Sequence, residues 1–176
     1  MAPNPHVRIA SAPDISGITA IYRHHVLHGL ASFEIDPPDA DEMTRRFATV
    51  RELGLPYLVV ETGGIVAGYA YAGVYRARPA YRYTVENSVY VHPDFSGQGI
   101  GSALLAQLIR GCEHAGKRQM IAVIGDSQNT PSIRLHEKFG FTHVGVLPAV
   151  GFKFGRWVDS VLMQRGLGDG NLRAPA

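Results

Sequence analysis

Two kinds of chemistry meet between Thr84 and Leu105, in the run TVENSVYVHPDFSGQGIGSALL. Glu86 stands on an apolar strand and is a candidate acid–base group. Further on, Gly97, Gly99 and Gly101 alternate where an amphipathic helix must begin. Such a turn points several free backbone N–H groups, and the positive end of the helix dipole, at one spot. A phosphate-bearing ligand suits that spot. Binding and chemistry then share one segment.

Other side chains compete for a role. An unperturbed glutamate, with a pKa of about 4.3, is a poor base at neutral pH and needs burial or a relaying water. Its plainer reading is a solvent-facing strand residue, or one paired with a nearby Arg. Asn129, Ser132 and His136 fall at helical spacing and share one helix face. A histidine there can act as base or acid near pH 7, or simply fill a core or cap a helix. Arg76, Arg78 and Arg82 form a basic cluster just before Glu86. Phe33, Tyr83 and Tyr90 are candidates for pocket walls, although aromatics at strand positions are more often core. His24, His25 and His28 lack a third ligand or an H-E-x-x-H pattern, so they read as a solvated helix face and no metal is expected. Cys112 lies on an apolar helix ridge and reads as packing.

The elements that must position these groups are legible from patterning. His6 to Ala10 reads as a first strand, and Asp14 as the N-cap of a helix carrying Ile15, Ile18, Ile21, Tyr22 and Val26. Pro37-Pro38 breaks the chain, and Asp39 or Asp41 caps a second helix reaching about Leu53, with Gly54 at its C-terminal end. Tyr57 to Glu61, Ile65 to Tyr75 and Tyr83 to Val91 read as an antiparallel meander. The Gly99 helix runs to about Ala115 with Ile100, Leu104, Leu108 and Cys112 as its ridge. Met120 to Ile124 is a buried strand. Asn129-Thr130-Pro131 opens a helix that ends at Phe139-Gly140. Strands at about Thr142 to Leu147 and Trp157 to Gln164 close the chain, joined through a glycine-rich segment. The order β-α-α-β-β-β-α-β-α-β-β favours a mixed α/β sheet with helices on both faces.

Bulk properties narrow the function. A chain of 176 residues suits one domain, over 1–165, with 166–176 as a frayed tail. The hydrophobic share of 45% and charged share of 18% are those of a globular protein. A net charge of +2 without basic runs speaks against nucleic acid. No window approaches the roughly 18 apolar residues of a membrane span. One cysteine and no signal-like N-terminus point to the cytoplasm.

The glycine turn is neither of two commoner phosphate motifs. GQGIGS lacks the G-x-G-x-x-G spacing, and no Lys-Ser or Lys-Thr pair follows it. Instead, Val89-Tyr90-Val91-His92-Pro93 with Gly97-Gln98-Gly99-Ile100-Gly101-Ser102-Ala103-Leu104-Leu105 resembles the acetyl-CoA motif of the GNAT N-acetyltransferase superfamily. Asn129 to Phe141, NTPSIRLHEKFGF, resembles its second signature. The resemblance covers about Val7 to Gln164. Tyr83 to Val91, Ala122 to Gly125, the RLHE of Arg134 to Glu137 and Gly151 to Asp159 are similar to one branch, the phosphinothricin and methionine sulfoximine (or sulfone) N-acetyltransferases. One departure is visible: Ser96 stands where the superfamily usually has Gln or Arg.

The resemblance implies a GNAT fold with a mixed sheet of six or seven strands, and acetyl-CoA as acetyl donor. It implies that Gly97, Gln98, Gly99, Ile100, Gly101 and Ser102 hold the pyrophosphate through backbone N–H groups, that Val89, Tyr90 and Val91 line the pantetheine arm, and that Asn129 and Ser132 complete the cofactor site. Glu86 and His136 share the proton work in direct transfer through a ternary complex. Which of them is the base stays open. A backbone N–H between Val89 and Val91 is the expected oxyanion donor. The acceptor is the α-amine of a small amino-acid analogue, met by Glu86, Asn87, Ser88, Phe33, Tyr83, Arg76, Ala77 and Arg78. An Arg fork suits the carboxylate of such acceptors. For Arg78 ordinary exposed strand charge is the favoured reading. A homodimer is implied as well. Another small amine or amino acid, a protein lysine, and a catalytically idle acyl-CoA module are the alternative readings.

Overall fold

The computed structural model describes residues 5–175. Its elements run β1 (Val7–Ile9), α1 (Ile15–His28), α2 (Ala40–Glu52), β2 (Tyr57–Thr62), β3 (Ile65–Val74), β4 (Thr84–Val91), α3 (Ile100–His114), β5 (Gln119–Gly125), α4 (Thr130–Lys138), β6 (Thr142–Lys153) and β7 (Arg156–Gly166). This is the order expected from the sequence. The strands form one sheet in the order β1-β2-β3-β4-β5-β7-β6. Only β4 and β5 pair in parallel; every other neighbour is antiparallel. The mixed α/β architecture with seven strands is as expected.

Strand alternation divides the sheet into two packed faces. Tyr57, Tyr69, Tyr71 and Tyr90 stack on one another. Phe47 of α2 meets Tyr57, and Tyr22 of α1 meets Tyr90, so this is the α1–α2 face. On the other face α3 lies so close that a Cβ on Gly68 would sit 2.8 Å from Ile100 and 3.2 Å from Leu104. The ridge expected of α3, Ile100, Leu104, Leu108 and Cys112, is entirely buried. Each buried leucine of that ridge contributes about 2 kcal/mol through the area it removes from water.

Three details depart from expectation. Asp14 precedes α1 but does not cap it with its side chain. Its carboxylate accepts from the Ser11 N–H at 2.8 Å and takes a two-pronged ion pair from Arg8 at 2.7 Å, which holds its pKa down at about 2. Closing the preceding turn takes precedence over capping because a partly buried guanidinium–carboxylate fork is the stronger bond. β6 continues to Lys153, six residues past the expected end, through irregular pairing between Leu147 and Gly151. The last segment is anchored where it leaves the sheet: Leu167 is wholly buried, and its N–H bonds the Arg118 carbonyl at 2.9 Å.

Candidate active site

The site begins where the sheet splits. β4 and β5 pair from Thr84↔Gln119 to Asn87↔Ala122 and no further. Beyond that rung β4 stays with β3 and β5 stays with β7. The His92 N–H bonds the Ala67 carbonyl at 2.9 Å. In that register Tyr90 and Ser88 aim their backbone groups at β3, while Val89 and Val91 aim theirs at the gap. A cavity of about 470 Å³ passes through the gap. Glu34, Tyr71, Glu86 and Ser88 line it from the α1–α2 side, and Asn129, Ser132 and His136 from the α4 side.

The two proton-handling candidates thus approach one cavity from opposite faces of the sheet. Glu86 is half-buried, and no described side chain donates a hydrogen bond to it. Burial alone raises its pKa above the ordinary carboxylate value, because the charged form loses water without gaining a partner. Its neighbour Asn87 points the other way and is buried.

His136 is 4% exposed and bonded at both ring nitrogens. Nδ1 lies 2.8 Å from the Ser132 carbonyl and Nε2 lies 3.0 Å from Asn87 Oδ1. The Asn87 amide is oriented by its Nδ2, which donates to the Ile121 carbonyl at 3.1 Å. A reversed amide would set two oxygens against each other there. Both neighbours of the ring are therefore acceptors, and only an imidazolium, with two N–H donors, satisfies both. Burial holds the His136 pKa below its ordinary value, and the Ser132 carbonyl, which pushes it up, offsets only part of that. The Asn87 oxygen adds to the upward pull.

The glycine turn is shaped as a cradle. Gly97 and Gly99 take φ of +76° and +80°, and no protein atom lies within 4 Å of where a Cβ would be. The first helical bond of α3 runs from the Ala103 N–H to the Gly99 carbonyl. The N–H groups of Ile100, Gly101 and Ser102 thus have no partner within the helix. Gln98 turns its side chain back to the Asp94 carbonyl, leaving only its backbone to the cradle. Ile100 itself is buried in the core. Gly101 lets α3 approach α4, with a Cβ position 3.4 Å from Leu135. Asn129 caps α4 by accepting from the Ser132 N–H. An open, N–H-rich cradle leading to a slot where β4 backbone has no strand partner on the β5 side fits a long ligand with phosphate at one end and amides along its length.

Four residues expected at the acceptor line other hollows. Arg76, Ala77 and Arg78 line a hollow of their own with Tyr81, and the Arg76 guanidinium stacks on Tyr75 at 5.1 Å. Tyr83 lines a hollow beside Lys117 and Arg118. Proximity to Glu86 in sequence does not bring them to the cavity; a single 3-10 turn at Pro79–Tyr81 separates Arg76 to Arg78 from β4. Phe33 and Tyr90 do line it. Tyr22, Ser32, Glu34 and Tyr71 also line it without having been expected, since their sequence signal is that of core and loop residues. His25, read as a solvated helix residue, instead places Nε2 2.9 Å from the Val91 carbonyl at the back of the gap. Among the described residues no His, Cys, Asp or Glu cluster could hold a metal.

The model of the acetyltransferase (GNAT) family matches residues 20–141. The chain belongs to the GNAT acetyltransferase family. Among its GNAT relatives, a phosphinothricin N-acetyltransferase of Alcaligenes faecalis is 56% identical over 96% of this chain and 86% of its own. An L-methionine sulfoximine/L-methionine sulfone acetyltransferase of Salmonella typhimurium is 46% identical over 90% of this chain and 92% of its own. A solved GNAT phosphinothricin acetyltransferase from Sinorhizobium meliloti, in complex with acetyl-CoA, superposes with a TM-score of 0.95 at 47% identity, covering 98% and 93% of the two chains. The resemblance read from the motifs holds, and the protein is an N-acetyltransferase.

Proposed function

We propose that the protein transfers acetyl from acetyl-CoA directly to the α-amine of a small amino-acid analogue such as phosphinothricin, methionine sulfoximine or methionine sulfone. The observation that carries this reading is one cavity, cut through the sheet at the β4–β5 gap, with an unpaired carboxylate on one face and a doubly hydrogen-bonded histidine on the other. The relatives' acceptors support the substrate class.

In this reading the backbone from Gly97 to Ser102 binds the pyrophosphate, and Val89 to Val91 pair with the pantetheine arm. Asn129 and Ser132 border the same half. Acetyl-CoA supplies an activated acetyl thioester. On the α1–α2 side, Phe33, Tyr71, Glu86 and Ser88 receive the acceptor, and Asn87 turns away from it toward His136. Glu86 is the base: its raised pKa suits it to take the ammonium proton, directly or through water. His136 is the acid: its two acceptor neighbours favour a proton on the ring for the departing thiolate, against the burial that lowers its pKa. A backbone N–H facing the gap stabilises the developing oxyanion. Arg76 and Arg78, which the resemblance offers to the acceptor's carboxylate, open on another hollow.

Two further proposals accompany this one. The β6–β7 hairpin exposes Val144, Val150, Phe152, Phe154 and Trp157, each more than half exposed, and a patch of that kind supports a homodimer. A buried lone Cys112 without a disulfide supports a reducing, cytoplasmic setting.

Thiol release on mixing enzyme, acetyl-CoA and an acceptor panel tests the function. The sulfoximine, the sulfone and phosphinothricin should turn over far faster than polyamines or plain amino acids. Tight CoA binding with no thiol release for any amine would mean a binding module instead.

A further inference from the structure

The segment 29–39 between α1 and α2 carries Phe33 and Glu34 to the cavity, yet it has no regular secondary structure of its own. It is held from the far end of the chain. Lys153 is 2% exposed, and its ammonium donates to the Gly29 carbonyl at 2.9 Å and the Ser32 carbonyl at 2.7 Å. Those bonds tie the last residue of β6 to a segment more than a hundred residues earlier. Two glycines of the same region form a floor without side chains. A Cβ on Gly125 would stand 2.0 Å from the Leu30 carbonyl oxygen, and one on Gly151 would stand 2.1 Å from the Phe33 ring. On its other flank the segment is pinned through Ser32 and Glu34. The Tyr22 hydroxyl bonds both at 2.9 Å, and Arg46 pairs with Glu34 at 2.6 Å.

We propose that Lys153, with Gly151 and Gly125 beneath the segment, is a positioning device that sets Phe33 against the acceptor and thereby determines acceptor affinity. The inference rests on the reading that the α1–α2 side of the cavity takes the acceptor. Lysine suits the task because a buried ammonium has three donors and no acceptor, so it gathers backbone carbonyls and fixes the direction of the loop. Burial lowers its pKa, and the negative charge of Glu34 opposes that shift. The cofactor cradle at Gly97 to Ser102 shares none of these contacts. The device therefore acts on one substrate and not the other.

Steady-state kinetics of Gly151→Ala and Lys153→Met, with each substrate varied in turn, tests this. Acceptor KM should rise about tenfold in both variants while acetyl-CoA KM stays within about twofold, because a misplaced wall weakens only the ligand that touches it. Hydrogen exchange in Lys153→Met should quicken over residues 29–39 before it quickens elsewhere. Unchanged acceptor KM in Gly151→Ala, or a parallel rise in both KM values, would overturn the proposal. If Lys153→Met does not fold, Gly151→Ala decides alone. A wild-type enzyme that releases no thiol with any small amine would overturn the function instead, and the exchange pattern would still report whether Lys153 holds the segment.

Discussion

In the proposed function the two halves of the site recognise their ligands by different means. For acetyl-CoA the groups on offer are backbone ones of one continuous run, Val89 to Ser102, beside the Asn129, Ser132 and His136 side chains that line the α4 side, and two of the run's glycines stand with open space around them. On the α1–α2 side the walls are side chains from α1, the 29–39 segment, β3 and β4, positioned by a lysine from β6. Backbone recognition tolerates changes of side chain but not an added bulky or charged group. Side-chain recognition can be retuned one residue at a time. A family that keeps its donor and varies its acceptor is served by that division.

The sharpest way to break the comparison is to leave binding alone and remove the base. Glu86→Gln keeps the shape of the α1–α2 wall and should lower kcat by about 10²–10³-fold with acetyl-CoA affinity within about twofold. The acid limb of the wild-type pH profile should lie above the ordinary carboxylate pKa and vanish in the variant, since turnover needs the carboxylate and its pKa is raised. Stability supplies an independent check. A group whose folded pKa is raised costs stability once pH exceeds its unfolded pKa. Glu86→Gln should therefore melt higher than wild type at pH 7, with the difference closing below about pH 4. An unaffected rate would remove Glu86 from the mechanism.

Gly99→Asp tests the other half. A carboxylate where φ is +80° strains the backbone and repels phosphate. Acetyl-CoA affinity should fall about 10²-fold by calorimetry, with the fold intact by circular dichroism. Retained affinity would mean that the pyrophosphate lies elsewhere.

How much of this was legible in the sequence follows from the same division. The backbone half is local, so the spacing of Gly97, Gly99 and Gly101 and the strand before them carried it. The order of all eleven elements was legible for the same reason, because caps, glycines and apolar ridges act within a few residues. The side-chain half is assembled across the chain. Nothing near Tyr22 or Tyr71 says that they share a wall, since each is also an ordinary core tyrosine. Arg76 and Arg78 show the opposite case: a short stretch from Glu86 along the chain, they open on a different hollow. Nothing beside Lys153 in the chain marks it as buried, and only the path of residues 29–39 reveals it.

Between the halves stands the Asn87–His136 pair, where a substitution discriminates acid from base. Asn87→Leu removes the acceptor at Nε2, so the imidazolium loses one of its two partners. The His136 pKa, followed by NMR of the ring carbons, should drop by about one unit, while Asn87→Asp should raise it. Among the described groups none carries a charge that acts on the ring from β4, β5 or α4, so the change reports Asn87 directly. A lowered His136 pKa with unchanged thiolate release would remove the acid role.

The smallest effect is expected at Ser96, and its smallness is the point. This exposed position carries Gln or Arg in much of the superfamily, and its own N–H is already bonded to the Pro93 carbonyl at 3.2 Å. If the cradle works through the backbone, Ser96→Arg adds one solvent-exposed charge near the pyrophosphate and little else. Such pairs contribute under about 1 kcal/mol, so acetyl-CoA KM should tighten by no more than about threefold, and the gain should fade in high salt. A tenfold change would mean that the first position of the loop binds by its side chain. The two halves would then differ in degree and not in kind.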